Sequence, residues 1–138
     1  MKARKAQSQP RPCPCGSGQT YDQCCAPRHN GQPAPTPEAL MRSRYSAYVL
    51  GLEDYLLATW APDTRPLSLD LATPPLPQWV GLEILAREGG TDGETETGTV
   101  HYRARYKLNG RAHRLEEISR FRKTGERWVY VDGEIRED

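Results

Sequence analysis

All twelve prolines of this 138-residue chain lie before residue 78, and the 61 residues from Gln78 onward contain none. Proline has no amide hydrogen to give to a strand ladder, so central strands exclude it. The proline-free stretch is where a sheet can form, and its side chains alternate accordingly. Four strands are predicted, over residues 79–88, 98–108, 111–123 and 127–132. In the second, Val100, Tyr102, Ala104 and Tyr106 alternate with His101, Arg103, Arg105 and Lys107. Asn109-Gly110 and Gly125 mark tight turns on either side of the third strand, and residues 89–97 form a Gly-rich acidic loop. The row Arg103, Arg105, Lys107 reads as a solvated outer face, in preference to a phosphate-contacting stripe.

Upstream of the sheet the periodicity changes. Thr36 can cap a helix that begins at Pro37, with Glu38 in its first turn. Met41, Tyr45, Tyr48, Leu52, Tyr55 and Thr59 then recur at alternating steps of four and three, which is one helical face. Leu40, Leu56, Leu57 and Trp60 widen it, and the aromatic stripe reads as core. Gly51 predicts a break into two helices. Residues 61–77 are a Pro-rich loop, with a short turn expected over 67–71. Helices followed by an antiparallel meander make an α+β arrangement. Only 36% of the residues are apolar, enough for one small core but not for two. The organisation expected is a basic arm and knuckle over 1–29, a stiff Pro-rich linker over 30–36 and an α+β domain over 37–138.

All four cysteines fall within 13 residues, as Cys13-Pro-Cys15-Gly16-Ser17-Gly18 and then Cys24-Cys25. The chain carries no apolar segment long enough to span a membrane. Its basic N-terminus leads into Gln and Pro rather than an apolar stretch, so no secretory signal is expected and a cytoplasmic location is. Thiols there stay reduced, which argues against a disulfide scaffold. Four soft sulfurs closing on one small loop suit a tetrahedral zinc ion, one per chain. Gly16 and Gly18 would supply the reversed backbone angles that bring the ligand pairs together, with Tyr21 as a small lid. Cys13, Cys15 and Cys24 are expected ligands. The fourth is Cys25, with His29 as the alternative. Four protein ligands leave no open position for water, so such an ion would be structural.

Charge is unevenly divided. Residues 1–36 hold Lys2, Arg4, Lys5, Arg11 and Arg28 against Asp22 alone, a net of +4, while the remainder holds 14 basic and 17 acidic groups, a net of −3. Such an arm can meet a polyanion or serve as a solubilising tail. It has no aromatic residue beyond Tyr21, so neither base stacking nor specific DNA reading is expected.

The run Cys13-Pro-Cys-Gly-Ser-Gly-Gln-Thr-Tyr-Asp-Gln-Cys-Cys25 resembles the SEC-C motif, the zinc-binding tail element of the SecA translocation ATPase. In SecA that element is associated with the SecB chaperone and the ribosome. The remaining chain resembles the bacterial YchJ family in three stretches. These are 39–48 with 55–60; Trp79-Val-Gly-Leu82; and Ser119-Arg-Phe121 leading to Trp128-Val-Tyr-Val-Asp-Gly133. The resemblance implies a fold similar to nuclear transport factor 2, with helices laid across a curved sheet. It also implies a protein or ribosomal partner engaged through the knuckle and arm. Where many family members carry a His, this chain has Glu116, and it lacks the second, C-terminal SEC-C motif that some members carry.

Within the α+β domain, His113, Leu115, Glu117, Ser119 and Phe121 share one face of the third strand. If Leu115 and Phe121 point into a helix-covered concavity, Glu117 and Ser119 do too. Tyr102, Tyr106, Trp128 or Tyr130 would line such a pocket, and Glu117 is the one candidate acid or base. A structural Glu117, bonded to a Tyr hydroxyl or to Arg120, is the reading favoured by the residues. No Ser-His-Asp order, phosphate loop or diagnostic carboxylate pair appears, and His29, His101 and His113 are too scattered for a second metal. The expected function is a non-enzymatic docking or adaptor module for ribosome, chaperone or translocation machinery. A scaffold that only positions the knuckle ranks second, and an enzyme or small-ligand carrier using the concave pocket ranks third.

Overall fold

A computed structural model describes residues 11–91 and 95–137. The order of elements is a 3-10 turn at Tyr21–Gln23, then α1 (Ala26–His29), α2 (Pro37–Leu50), α3 (Glu53–Ala58), and strands β1 (Gln78–Glu88), β2 (Thr97–Leu108), β3 (Arg111–Thr124) and β4 (Arg127–Glu137). The strands form one antiparallel meander in the order β1-β2-β3-β4. This is the α+β architecture expected, with α2 laid across the sheet.

The helix boundaries follow local chemistry. Thr36 is extended, and its Oγ1 accepts from the Ala39 amide at 3.1 Å, a cap that stabilises the helix by about 1 kcal/mol. Pro37 occupies the first turn, where its missing amide hydrogen has no cost. Glu38 pairs with Arg42 one turn on and with Arg87 of β1. The helix ends at Gly51, as the break expected there requires.

α2 is buried on two faces. Met41 and Tyr45 turn to the sheet, while Ser46, wholly buried, turns to the N-terminal knuckle, and the backbone carbonyl of Ser43 accepts from His29. Cys13, Cys15 and Cys25 join Leu40, Met41, Tyr45, Val100, Phe121 and Trp128 in one buried cluster. The segment 30–36 therefore does not hold the knuckle away from the domain. It folds back, with Ala34 buried and the Gln32 amide bonded to Pro27 O. Joining the knuckle to the core enlarges a hydrophobic interior that the composition makes small. Fully burying Leu40, Leu56, Val100 and Phe121 contributes about 1.5–3 kcal/mol for each.

In β2, Val100, Tyr102 and Ala104 are buried, and the intervening basic side chains face outward. Arg103 and Arg105 meet Glu83, and Arg103 and His101 meet Glu116. The register sets Tyr102 opposite Glu117, Val100 opposite Ser119 and Ala104 opposite Leu115, so all six share the covered face.

β4 differs from expectation. It runs five residues beyond Asp132, because the pairing shifts between Arg120 and Phe121 and Val131 becomes an extra residue. Such a bulge changes the phase of alternation. Before it, Trp128 and Tyr130 face the core. After it, Gly133 lies opposite Ser119 and Ile135 opposite Glu117. Gly133 is there because a side chain would not fit. A Cβ at that position would stand 2.0 Å from Glu117 Oε2. The loop 61–77 contains no helix or strand and begins with a short parallel bridge of Trp60 to Tyr130. No helix among the described residues is long and apolar enough to cross a membrane.

Gly133→Ala is expected to lower the denaturant midpoint by the equivalent of about 1–3 kcal/mol, since the Glu117 carboxylate has to move. Gly81→Ala, where a Cβ meets open space, should change it by less than about 0.5 kcal/mol.

Candidate metal centre and an adjoining cavity

The knuckle closes through its own backbone. Pro12 and Thr20 form an antiparallel bridge, the Cys13 amide donates to Gln19 O at 2.9 Å, and the Gly16 amide donates to Cys13 O at 3.1 Å. Gly16 and Gly18 have φ of 77° and 90°, angles that carry a steric cost for any residue with a Cβ. The 3-10 turn then returns the chain, and the Cys24 amide donates to Tyr21 O at 3.0 Å.

The Sγ atoms of Cys13, Cys15, Cys24 and Cys25 consequently lie within 4.8 Å of one another, all as free thiols. Cys15 and Cys24 are 3.6 Å apart and Cys24 and Cys25 are 3.9 Å apart. Four sulfurs set about 2.3 Å from a central ion would be separated by about 3.8 Å, so the cluster has the dimensions of a tetrahedral metal site. In the thiol state the cluster shares its protons unevenly. A hydrogen bond from Cys25 holds Cys15 down to about 4. Giving that bond, together with burial, pushes Cys25 well up, and burial also raises Cys24. A cation would relieve this competition by accepting all four as thiolates.

Residues outside the four cysteines complete the environment. Ser46 Oγ of α2 donates to Cys25 Sγ at 3.3 Å and stands 3.6 Å from Cys13 Sγ. Ser17 Oγ lies 3.2 Å from Cys24 Sγ. Arg42 Nη1 donates to Cys15 O at 2.9 Å and comes within 4.0 Å of its sulfur. These donors and the guanidinium would offset the negative charge of four thiolates around a cation. Neither Arg42 nor Ser46 was singled out from sequence. The available signal was a polar run, Arg42-Ser-Arg-Tyr-Ser46, inside a helix otherwise read as core.

His29 is committed elsewhere. Its Nε2 lies 2.8 Å from Ser43 O, a carbonyl that can only accept, so Nε2 carries the hydrogen and Nδ1 accepts from Tyr21 OH at 2.7 Å. Burial pulls its pKa down, favouring the neutral ring. Among the basic residues, exposed Arg11 lies with its guanidinium 5.8 Å from the Tyr21 ring centre, and Arg28 Nη1 donates to Cys24 O at 3.1 Å. Lys2, Arg4 and Lys5 lie outside the described residues.

A cavity of about 240 Å³ lies between the other face of α2 and the sheet. Tyr102, Glu117 and Tyr130 line it together. Glu117 accepts from Tyr102 OH through Oε1 and from Tyr130 OH through Oε2, each at 2.6 Å. Burial and then the nearby carboxylate push both phenols up, so they remain O–H donors. Arg120, the other partner considered for Glu117, points outward to Asp132 and Glu134. Ser119 and Trp128 sit apart from this cavity. Ser119 is wholly buried with its Oγ 4.0 Å from Met41 Sδ, and Trp128 lines a separate pocket with His29, Ala34 and Leu40. Tyr106 lies near the end of β2 that leads into the turn at Asn109-Gly110, stacked on His113 with ring centres 5.2 Å apart. The cavity also contains Arg44 and Trp60, which sequence reasoning did not place there.

Fold and site together define a small NTF2-like domain carrying a SEC-C cysteine knuckle. Residues 36–133 match the family described as "YchJ, middle NTF2-like domain", and residues 12–27 match the SEC-C motif. The chain belongs to this YchJ family, whose curated bacterial relatives are called UPF0225 proteins. It is 49% identical over 140 residues to a UPF0225 protein of Cupriavidus metallidurans, covering 96% of this chain and 95% of the relative. It is 52% identical over 125 residues to one of Streptomyces coelicolor, covering 90% and 95%. The solution structure of a SEC-C motif containing protein from Rhodopseudomonas palustris superposes with a TM-score of 0.76 at 36% identity, over 88% of this chain and 96% of that one. A crystal structure of a SEC-C motif containing protein from Psychrobacter arcticus gives 0.69 at 27% identity, over 87% and 80%.

Ser46→Ala leaves all four sulfurs in place and removes the donor between Cys13 and Cys25. It is expected to weaken metal binding about 10–100-fold in competition with a chromophoric chelator. Affinity should also fall as pH is lowered in both proteins, because the thiols must lose protons to bind.

Proposed function

We propose that this chain is a zinc-bearing docking or adaptor protein, non-enzymatic, that engages the ribosome, a chaperone or a translocation component through its knuckle and basic arm. The observation that carries this reading is the closed set of four sulfurs, Cys13, Cys15, Cys24 and Cys25, packed against α2. Four soft donors at tetrahedral spacing suit zinc, and with all positions filled by protein the ion shapes a surface rather than activating water. His29, bonded through both ring nitrogens, is not needed as a ligand.

The inner side of the knuckle is covered by the domain, and its outer side presents exposed Gly16, Gly18, Gln19, Asp22 and Gln23. Arg11 and Arg28 flank that side, and the first 36 residues carry a net charge of +4. A rigid loop edged with positive charge suits contact with a polyanionic particle or an acidic protein surface. The domain's part in this reading is to hold the loop in one orientation. Glu117, with both oxygens engaged by phenol hydroxyls, is better suited to fixing the sheet than to transferring a proton.

Purified wild-type protein should contain one zinc per chain and pellet with ribosomes at low salt, with pelleting lost steeply as salt rises. Cys24→Ser should lose the zinc and the pelleting together. Full pelleting by the metal-free variant, or none by wild type at low salt, would sink the ribosomal reading.

A further inference from the structure

The cavity under α2 holds two buried charges that do not meet each other. Arg44 is 3% exposed and Glu117 is 5% exposed, yet neither has an ion-pair partner among the described residues. Arg44 is anchored through Nη1, which donates to Leu56 O at 2.8 Å and Thr59 Oγ1 at 2.7 Å. Its guanidinium lies 5.0 Å from the Trp60 ring centre and 4.8 Å from that of Tyr130. Those contacts orient the group and leave Nε and Nη2 without a protein acceptor among the described residues, at the wall of the cavity. A buried guanidinium without an anion is an expensive arrangement. Its planar fork matches an oxyanion bidentately, and a carboxylate is the smallest common group that carries one on an aromatic ring.

Glu117 sets the other limit. Its two oxygens are tied to Tyr102 and Tyr130, and Gly133 leaves space for it, so the carboxylate is held as a fixed feature of the cavity floor. An incoming anion is repelled there and directed toward Arg44. Between the two charges the walls are aromatic, with Tyr48, Trp60, Trp79 and Tyr130 among them. A cavity of about 150 Å³ is enough for benzene. The 240 Å³ found here accommodates one ring with a carboxylate but not a fused polycycle with several charged groups.

We propose that this cavity binds a small aromatic monocarboxylate, with its carboxylate on Arg44 and its ring against Trp60, Trp79 and Tyr48. This site is independent of the zinc knuckle and of any docking partner. It requires no chemical step. Binding supplies the counter-ion that Arg44 lacks, and Glu117 selects against a second acidic group.

The test is titration of the zinc-loaded full chain with benzoate, benzamide, benzylamine and terephthalate, following the indole N–H resonances of Trp60 and Trp79 by NMR. Saturable shifts are expected with benzoate, with binding at least about tenfold weaker for its neutral isostere benzamide, from loss of the charge-assisted pair, and weaker again for terephthalate. Arg44→Gln should abolish the preference of benzoate over benzamide. If that variant does not fold, the wild-type ranking decides alone. Equal binding of benzoate and benzamide, stronger binding of benzylamine, or no saturable shift with any of the four would overturn the proposal.

Discussion

α2 is the element on which both halves of the molecule depend. One side, through Ser46 and the Ser43 carbonyl, meets the knuckle, and the other, through Met41, Tyr45 and Arg44, meets the sheet and its cavity. A helix buried on both sides carries buried residues beyond the one apolar face that its period displays. Its wholly buried serines are tolerated because each hydroxyl has a partner. Ser43 donates to Leu40 O and meets Tyr55 OH, and Ser46 meets two sulfurs. Through this helix the cysteine cluster and the domain share one interior. A cation held by the four sulfurs would therefore stabilise the domain core as well as the knuckle.

The sheet contributes through an irregularity. The bulge at Val131 lets β4 present Trp128 and Tyr130 to the core and then Gly133 and Ile135. Tyr130 is thereby in reach of Glu117, Trp60 and Arg44 at once. A regular strand would have turned one of these groups to solvent. The missing Cβ of Gly133 completes the arrangement, since it admits the Glu117 carboxylate between the strands. The polar centre of the domain is thus a product of one extra residue and one absent side chain.

The cysteine cluster and the cavity occupy opposite sides of the same helix and use neighbouring residues. Arg42 faces the cysteines, and Arg44, two positions on, faces the aromatic walls. Two basic residues with similar sequence surroundings therefore have different work, one offsetting thiolate charge and the other standing as a buried cation. Membership of the YchJ family accounts for the joint presence of knuckle and domain. The different surroundings of the two arginines follow from the helical rotation between them.

Features carried by short-range pattern are legible in the amino-acid sequence itself. Proline placement marks out the sheet, alternation in β2 assigns its faces, Thr36 and Gly51 bound α2, and cysteine spacing locates the cluster of four sulfurs. Each depends on residues a few positions apart, where backbone geometry alone fixes the outcome. The extension of β4, the bonding of both His29 nitrogens, the service of Ser46 and Arg42 to the sulfurs, and the placing of Ser119 and Trp128 away from the cavity are not legible there. These depend on register across strands and on which helical face meets which neighbour. A sequence determines the local periods by sterics and hydrogen bonding, whereas contacts between distant segments are selected only when the whole core packs at once.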